Sequence, residues 1–276
     1  MDKQYSVLMS VYYKEKPEYL MQAIDSMLNQ TVKTNDFVLI CDGPLTQELD
    51  AVIQQANDRE PELFHIIRLK ENQGLGKALN IGLQACRNEL VARMDSDDIS
   101  LPSRCQTQLN EFEKYPDLAL CSGSIAEFFE SPERITSVRQ LPKTESEIRK
   151  FARKRNPMNH MAVMFRKTKV MEAGGYVELH LAEDYYLWVR MLMNGCHARN
   201  VDAVLVYART GDGMIGRRGG FSYAKSICCL EKKFLDMGFI SLPVFIQNCV
   251  IRIAVSLVPN QIRQVFYCRI LRRKRV

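Results

Sequence analysis

The stretch "LVARMDSDDISLP", Leu90 to Pro102, runs four apolar positions directly into three carboxylates, Asp95, Asp97 and Asp98. A short apolar run bounded by turn residues reads as a buried strand. Carboxylates crowded this closely repel one another and raise each other's pKa, so their expected partner is a bound cation or the positive end of a helix. Which partner applies bears on function, and the flanking sequence bears on fold.

Upstream, "YSVLMSVYY" (5–13) reads as a strand, and "PEYLMQAIDSMLNQT" (17–31) as a helix opened by Pro17 with Leu20, Ile24, Met27 and Leu28 on one face. The pattern repeats. "DFVLICDGP" (36–44) is a strand ending in a turn, and "TQELDAVIQQAND" (46–58) is a helix aligning Leu49, Val52, Ile53 and Ala56. "LFHIIRL" (63–69) is a strand and "GLGKALNIGLQAC" (74–86) a helix, after which "ELVARM" (89–94) is the fourth strand. Such alternation implies an α/β fold with a largely parallel sheet covered on both faces, whose ligands sit beyond the carboxyl ends of the strands. Asp42 and the Asp95 cluster both lie at such ends, so two distant acidic turns should meet on one rim.

Downstream, "LPSRCQTQLNEFEKYP" (101–116) reads as a helix, "LALCSGSIAEFF" (118–129) as a strand and "ESPERITSVRQLPKTESE" (130–147) as a polar, irregular connection. Thr144 and Glu147 form a capping box for a helix through Arg155. "NHMAVMFRK" (159–167) is a further strand. "AEDYYLWVRMLMNG" (182–195) is an amphipathic helix with Leu187, Met191 and Met193 among its apolar positions and Gly195 as its stop. The glycine-rich "TGDGMIGRRGG" (210–220) marks the boundary between a domain of residues 1–215 and an extension of residues 216–276.

With 276 residues, 46% hydrophobic and 25% charged, the chain has the composition of a globular protein rather than a disordered one. Its nine cysteines are scattered, mostly in apolar runs, without zinc-site spacing, and read as reduced thiols of a cytosolic protein. The N-terminus begins as a strand and lacks the layout of a secretory signal. Charge is unevenly placed: residues 217–276 hold 12 Lys/Arg against 2 acids, a net +10, and residues 1–216 balance at −4.

The D-S-D-D spacing at a strand end lets alternate carboxylates share a divalent cation, and hard oxygen ligands suit Mg²⁺ or Mn²⁺ rather than zinc. The alternative is a helix cap, with acids at the positive end of a helix begun by "DDISLPSR". That accounts for one or two acids but not three after an apolar strand.

The ordered segments "SVLMSVYYKE", "ICDGP", "NQGLGKALNIGL", "ARMDSDDISLPSR", "NPMNH" and "LAEDYYLWVRM" resemble glycosyltransferase family 2, the inverting nucleotide-sugar transferases of GT-A fold. The resemblance spans about the first three quarters of the chain and is nearest to bacterial enzymes of O-antigen and exopolysaccharide assembly. It implies that Val11, Tyr12 and Glu15 cradle a uracil and that Asp42 bonds the base. The family usually has two acids at the latter turn, and here Cys41 stands in place of the first. Lys77 would contact phosphate or ribose, or is a plain surface lysine. Asp95 falls on the ribose and metal position, Asp97 on the principal metal ligand, and Asp98 positions the loop or touches the sugar.

The resemblance also supplies a chemistry. Departure of a nucleoside diphosphate builds negative charge on phosphate oxygen, which a fixed cation stabilises. The attacking hydroxyl must lose its proton to a carboxylate, and Asp184 is the family-matched base, with Glu183 beside it on the acceptor side. Taken alone, that acidic pair would read as charge complementing a helix dipole. His160 is a further acceptor-side candidate, although a lone histidine is more often structural. Where relatives have a metal-binding histidine this chain has Gly211, and Arg217 and Arg218 would clamp the diphosphate or form a solvated pair at a hinge.

"LPVFIQNCVIRIAVSLVP" (242–259) is too short and too polar for a confident membrane span. Beside "CRILRRKRV" it reads as an apolar face next to arginines, suited to an anionic membrane surface, or as a helix packed on the body with a solvated basic end. The acidic body argues against nucleic acid. The expectation is thus a UDP-sugar-dependent, metal-dependent hexosyltransferase at the inner face of a bacterial cytoplasmic membrane. Its acceptor would be a polyprenyl-diphosphate-linked saccharide, and by resemblance galactose or glucose in β1,3 linkage is favoured. The alternatives are a nucleotidyltransferase or a noncatalytic nucleotide-sugar-binding module on a similar fold.

Overall fold

Apolar runs too short for helices and too hydrophobic for one wet face pack edge to edge as β1 (Ser6–Val11), β2 (Asp36–Cys41), β3 (Phe64–Arg68) and β4 (Leu90–Asp95). Helices α1 (Pro17–Leu28), α2 (Gln47–Arg59) and α3 (Leu75–Ala85) connect them, and the four strands pair in parallel in the order β3-β2-β1-β4. This is the alternation expected from the sequence. The computed structural model describes residues 4–179, 181–211 and 220–257.

The second half is mixed in direction. It comprises β5 (Ile99–Ser100), α4 (Arg104–Lys114), β6 (Leu118–Phe128), β7 (Ile135–Arg139), α5 (Glu145–Ala152) and a 3₁₀ turn (His160–Ala162). There follow β8 (Met164–Arg166), α6 (Lys167–Glu172), α7 (Glu183–Met193), β9 (His197–Arg209), α8 (Gly220–Asp236) and α9 (Leu242–Leu257). β8 lies antiparallel between β4 and β6, β6 runs parallel to β9, and β9 pairs antiparallel with β5.

Four local expectations are corrected. The polar connection 130–147 contains β7, which adds antiparallel to β6. Residues 197–209, given no element from the sequence, form the 13-residue β9. Its polar and apolar positions do not alternate cleanly, because its partners on both edges supply the ladder that local pattern does not announce. The run 159–167 folds as a 3₁₀ turn before a three-residue strand, and the capped helix ends at Ala152 rather than Arg155. Its Thr144–Glu147 capping box is present. Asp98 leads into β5 and α4 begins only at Arg104, so the acidic turn does not cap a helix.

The sheet buries an apolar layer on each face. Leu8, Ile40, Val91 and Phe165 meet Leu79 and Leu83 of α3 and Trp188 of α7 on one side; Val7, Met9, Leu39 and Met94 meet α1, α2 and α4 on the other. Gly82 of α3 sits so close that an added Cβ would lie 2.5 Å from Leu8 Cδ1 and 2.8 Å from Ile40 Cγ1. Leu230 and Phe234 of α8 join the Trp188 layer, so the C-terminal helices pack on the body. The eight cysteines among the described residues are free thiols, and no described helix is long and apolar enough to cross a membrane. The proposed 215/216 boundary, with Arg217 and Arg218, lies outside the described residues.

Candidate active site

Parallel pairing brings the carboxyl ends of β2, β1 and β4 level: Val11 lies opposite Cys41, and Ser10 opposite Asp95. With strands about 4.8 Å apart, the turns after β2 and β4 lie roughly 10 Å from each other along one rim. Val11 is buried in β1 and Tyr12 is exposed at its end.

Asp42 serves the rim structurally. Its carboxylate accepts from the backbone N–H of Gln73 at 2.7 Å and of Gly74 at 3.1 Å, and its carbonyl from Asn72 Nδ2 at 3.1 Å. Gly74 immediately precedes α3, so the carboxylate stabilises the exposed donors and positive end of that helix. Gly43 makes the approach feasible: its φ is +90°, and a Cβ there would come within 2.7 Å of Asn72 N. A carboxylate has about four lone-pair sites, so each Asp42 oxygen retains capacity for a ligand. Cys41, by contrast, turns into the apolar layer. Lys77 is exposed and 3.7 Å from Glu178, an ion pair in solvent.

At the end of β4, one carboxylate oxygen from each of Asp95, Asp97 and Asp98 lies within 4.8 Å of the others. Asp95 pairs with Nη2 of Arg93. Asp98 is buried and accepts the Arg209 backbone N–H at 2.7 Å, while Arg209 Nε donates to the Asp97 carbonyl at 3.0 Å. Burial, followed by Asp95 and Glu15, pushes the Asp97 carboxyl up to about 7; burial, Asp97 and Asp95 push Asp98 well above the carboxylate range. Glu15 joins this group by accepting from Ser96 Oγ at 2.8 Å. Three hard oxygen donors held together against their own repulsion fit a divalent cation such as Mn²⁺ or Mg²⁺.

Arg93 was not anticipated. It is fully buried in β4, and its charge is felt by Asp95, Asp97, Asp98, His160, Tyr176 and Asp184. The acidic turn and the start of α7 therefore share one electrostatic neighbourhood. Nε and Nη1 of Arg93 have no partner within the protein.

Asp184, in the first turn of α7, accepts from Asn156 Nδ2 at 2.6 Å. Burial raises its carboxyl, and the hydrogen bonds from Asn156 and from the Tyr185 backbone oppose the rise. Glu183 packs against the start of α3, its Cγ 3.5 Å from where a Cβ on Gly76 would stand. His160 Nε2 lies 2.9 Å from the Tyr176 hydroxyl, in an aromatic group completed by Trp188. Burial, reinforced by Arg93, holds the His160 imidazole well below the histidine range, so it is neutral near pH 7. Arg93 and Asn156 lie within the motifs "ARMDSDDISLPSR" and "NPMNH", and Arg209 immediately precedes the glycine-rich stretch that begins at Thr210.

The sequence profile of Glycosyl transferase family 2 matches residues 6–174, from the first strand past the acidic turn. The chain belongs to this family. Similarity to individual glycosyltransferases runs along nearly the whole chain. The amylovoran biosynthesis glycosyltransferase AmsE of Erwinia amylovora is 40% identical over 267 residues, covering 95% of this chain and 97% of the relative. A UDP-Gal:alpha-D-GlcNAc-diphosphoundecaprenol beta-1,3-galactosyltransferase of Escherichia coli is 38% identical over 271 residues, covering 98% and 97%. Among solved structures, the mannosyltransferase PcManGT from Pyrobaculum calidifontis, in complex with GDP-Man and Mn²⁺, superposes with a TM-score of 0.64 at 16% identity. That match covers 90% of this chain and 68% of the other. The chain is a glycosyltransferase of GT-A architecture.

Proposed function

We propose that this glycosyltransferase moves a hexose, galactose in preference to glucose, from a UDP-sugar to a polyprenyl-diphosphate-linked saccharide with inversion at the anomeric carbon. The product would be a β1,3-linked unit of an O-antigen or exopolysaccharide. The 38% identity to the Escherichia coli galactosyltransferase, across nearly the full length of both chains, supports the donor, acceptor and linkage. The observation that carries the reaction type is the joint placement of the Asp95–Asp97–Asp98 group and Asp184 around the buried Arg93 charge.

Val11 and Tyr12 at the end of β1, with Glu15 and Asp42, would form the uridine end of the rim, and Lys77, exposed in the first turn of α3, would contact the phosphates. Asp95 and Asp97 would hold Mn²⁺ or Mg²⁺, whose chemistry when bound is to neutralise charge on the departing diphosphate. Asp184 takes the proton from the acceptor hydroxyl as its oxygen bonds to the anomeric carbon and the bond from that carbon to the diphosphate oxygen breaks. UDP leaves, and an α-linked donor gives a β product. Glu183, beside Asp184 in α7, and His160 would face the acceptor, and neutral His160 would bond a sugar hydroxyl without adding charge. Confinement of such an acceptor to a bilayer calls for attachment to the inner membrane surface, which the basic extension supports.

The test is to incubate the protein with UDP-galactose, UDP-glucose and UDP-N-acetylhexosamines and a synthetic lipid diphosphate acceptor, with Mn²⁺ or with EDTA. Free UDP and a β anomeric signal by NMR from the galactose lane are expected. Pyrophosphate release, an α product, or undiminished turnover in EDTA would overturn the corresponding part.

A further inference from the structure

Helix α9 meets the body through Val244 and Phe245, which pack on the core, and through the polar side chains of Asn248 and Arg252, and it turns a second apolar face away. On the inner face Asn248 Nδ2 donates to Glu231 and to the Arg153 carbonyl, both at 2.9 Å, and Arg252 Nη2 donates to the Lys154 carbonyl at 2.9 Å. On the far side Leu242, Ile246, Val250 and Ile253 recur at helical spacing and are 56, 52, 60 and 39% exposed. A continuous stripe of large aliphatic side chains differs from the scattered apolar residues of an ordinary wet surface. The chain gripped by the inner face is basic: residues 153–155 read Arg-Lys-Arg, with Arg153 and Lys154 exposed.

We propose that α9 lies in the plane of an anionic lipid bilayer with this stripe immersed, and that Arg153 and Lys154 meet the lipid phosphates. The dimensions agree. An interfacial helix sinks about 5–10 Å into the headgroup boundary, and a helix is about 10 Å across, so cations on its body side are held at the phosphate level. Residues 258–276, which continue from α9, carry six Lys/Arg and no acid, a charge complementary to the same surface. Asn156, next to Arg155, donates to Asp184, so the loop that meets the phosphates also carries the hydrogen bond to the proposed base. The inference rests on the lipid-linked acceptor proposed above, whose diphosphate belongs in that phosphate layer.

The test is co-sedimentation of the full chain with phosphatidylcholine vesicles, with and without about one third phosphatidylglycerol. The wild type should pellet with the anionic vesicles. Ile246→Ser/Val250→Ser should pellet about tenfold less, and Arg153→Gln/Lys154→Gln should lose the preference for anionic vesicles. Both should keep the wild-type circular dichroism spectrum, and Ile246→Ser/Val250→Ser should keep wild-type transfer to a short-chain, water-soluble acceptor. The proposal is overturned if the wild type stays in the supernatant, or if the serine variant pellets equally. It is also overturned if that variant only converts a dimer to a monomer, which would make the occupant a second copy of this chain. Vesicle binding is read without turnover: a chain that binds vesicles but transfers no sugar upholds this inference against the function, and the reverse result overturns this inference alone.

Discussion

Arg209 reaches across 111 residues of chain to Asp98, giving its backbone N–H to the buried carboxylate at 2.7 Å. Its side chain donates to the Asp97 carbonyl and, at 2.7 Å, to Gln22, while its guanidinium lies 3.8 Å from the Tyr19 ring centre and 4.7 Å from that of Phe128. The last residue of β9 thus holds the acidic turn against α1. Arg209→Ala keeps the backbone bond and loses the rest, and should cost about 1–3 kcal/mol by thermal melting. Mn²⁺ affinity, read by electron paramagnetic resonance, should fall with it. Arg209→Lys should recover little, because an ammonium cannot serve two acceptors and two rings at once.

Asp184 should set the acid limb of the pH profile. Burial raises its carboxyl above the ordinary 3.8, and only the ionised form accepts a proton, so kcat/KM should fall as pH drops through that raised value. Asn156→Ala removes a donor that favours the ionised form and should move the limb to still higher pH. Asp184→Asn should lower kcat by about 10²–10⁴ with UDP-sugar binding unchanged in calorimetry.

The same shift predicts a stability effect of opposite sign. A carboxyl whose pKa is higher folded than unfolded detracts from stability above the folded value, and that penalty fades as pH falls toward the unfolded one. The Asp184→Asn protein should therefore melt no lower than wild type at pH 7 despite its lost activity. A clear drop in melting temperature would mean that the carboxylate is structural.

Protons and cations compete for the Asp97 oxygens. With that carboxyl at about 7, Mn²⁺ binding should weaken as pH falls from 8 to 6, approaching about tenfold per unit below the midpoint. Glu15→Gln removes one of the neighbouring charges responsible and should shift the binding curve toward lower pH. A curve unmoved by this substitution would place Glu15 outside the cluster.

Gly82→Ala tests the packing beneath the rim. The added methyl would overlap Leu8 and Ile40 on adjacent strands, neither of which is at a free surface, and should cost about 1–3 kcal/mol in chemical denaturation.

Local pattern was enough for the parallel half of the sheet. β1 to β4 alternate with amphipathic helices, so burial on both faces is written in runs of a few residues, and with it the meeting of Asp42 and the Asp95 turn on one rim. The capping box at Thr144 and the acidic start of α7 were legible for the same reason: each acts within one helical turn. Tertiary structure alone decided the remainder. Arg93 reads as an interruption of an apolar strand until Asp95 and the surrounding carboxyls make it the buried cation of the site. β9 becomes a strand because β6 and β5 complete its ladders, and Asn156 matters because folding brings it to Asp184, 28 residues on. Periodicity encodes which side of an element is apolar, whereas the partner of a buried charge or an open backbone edge is chosen by residues far along the chain.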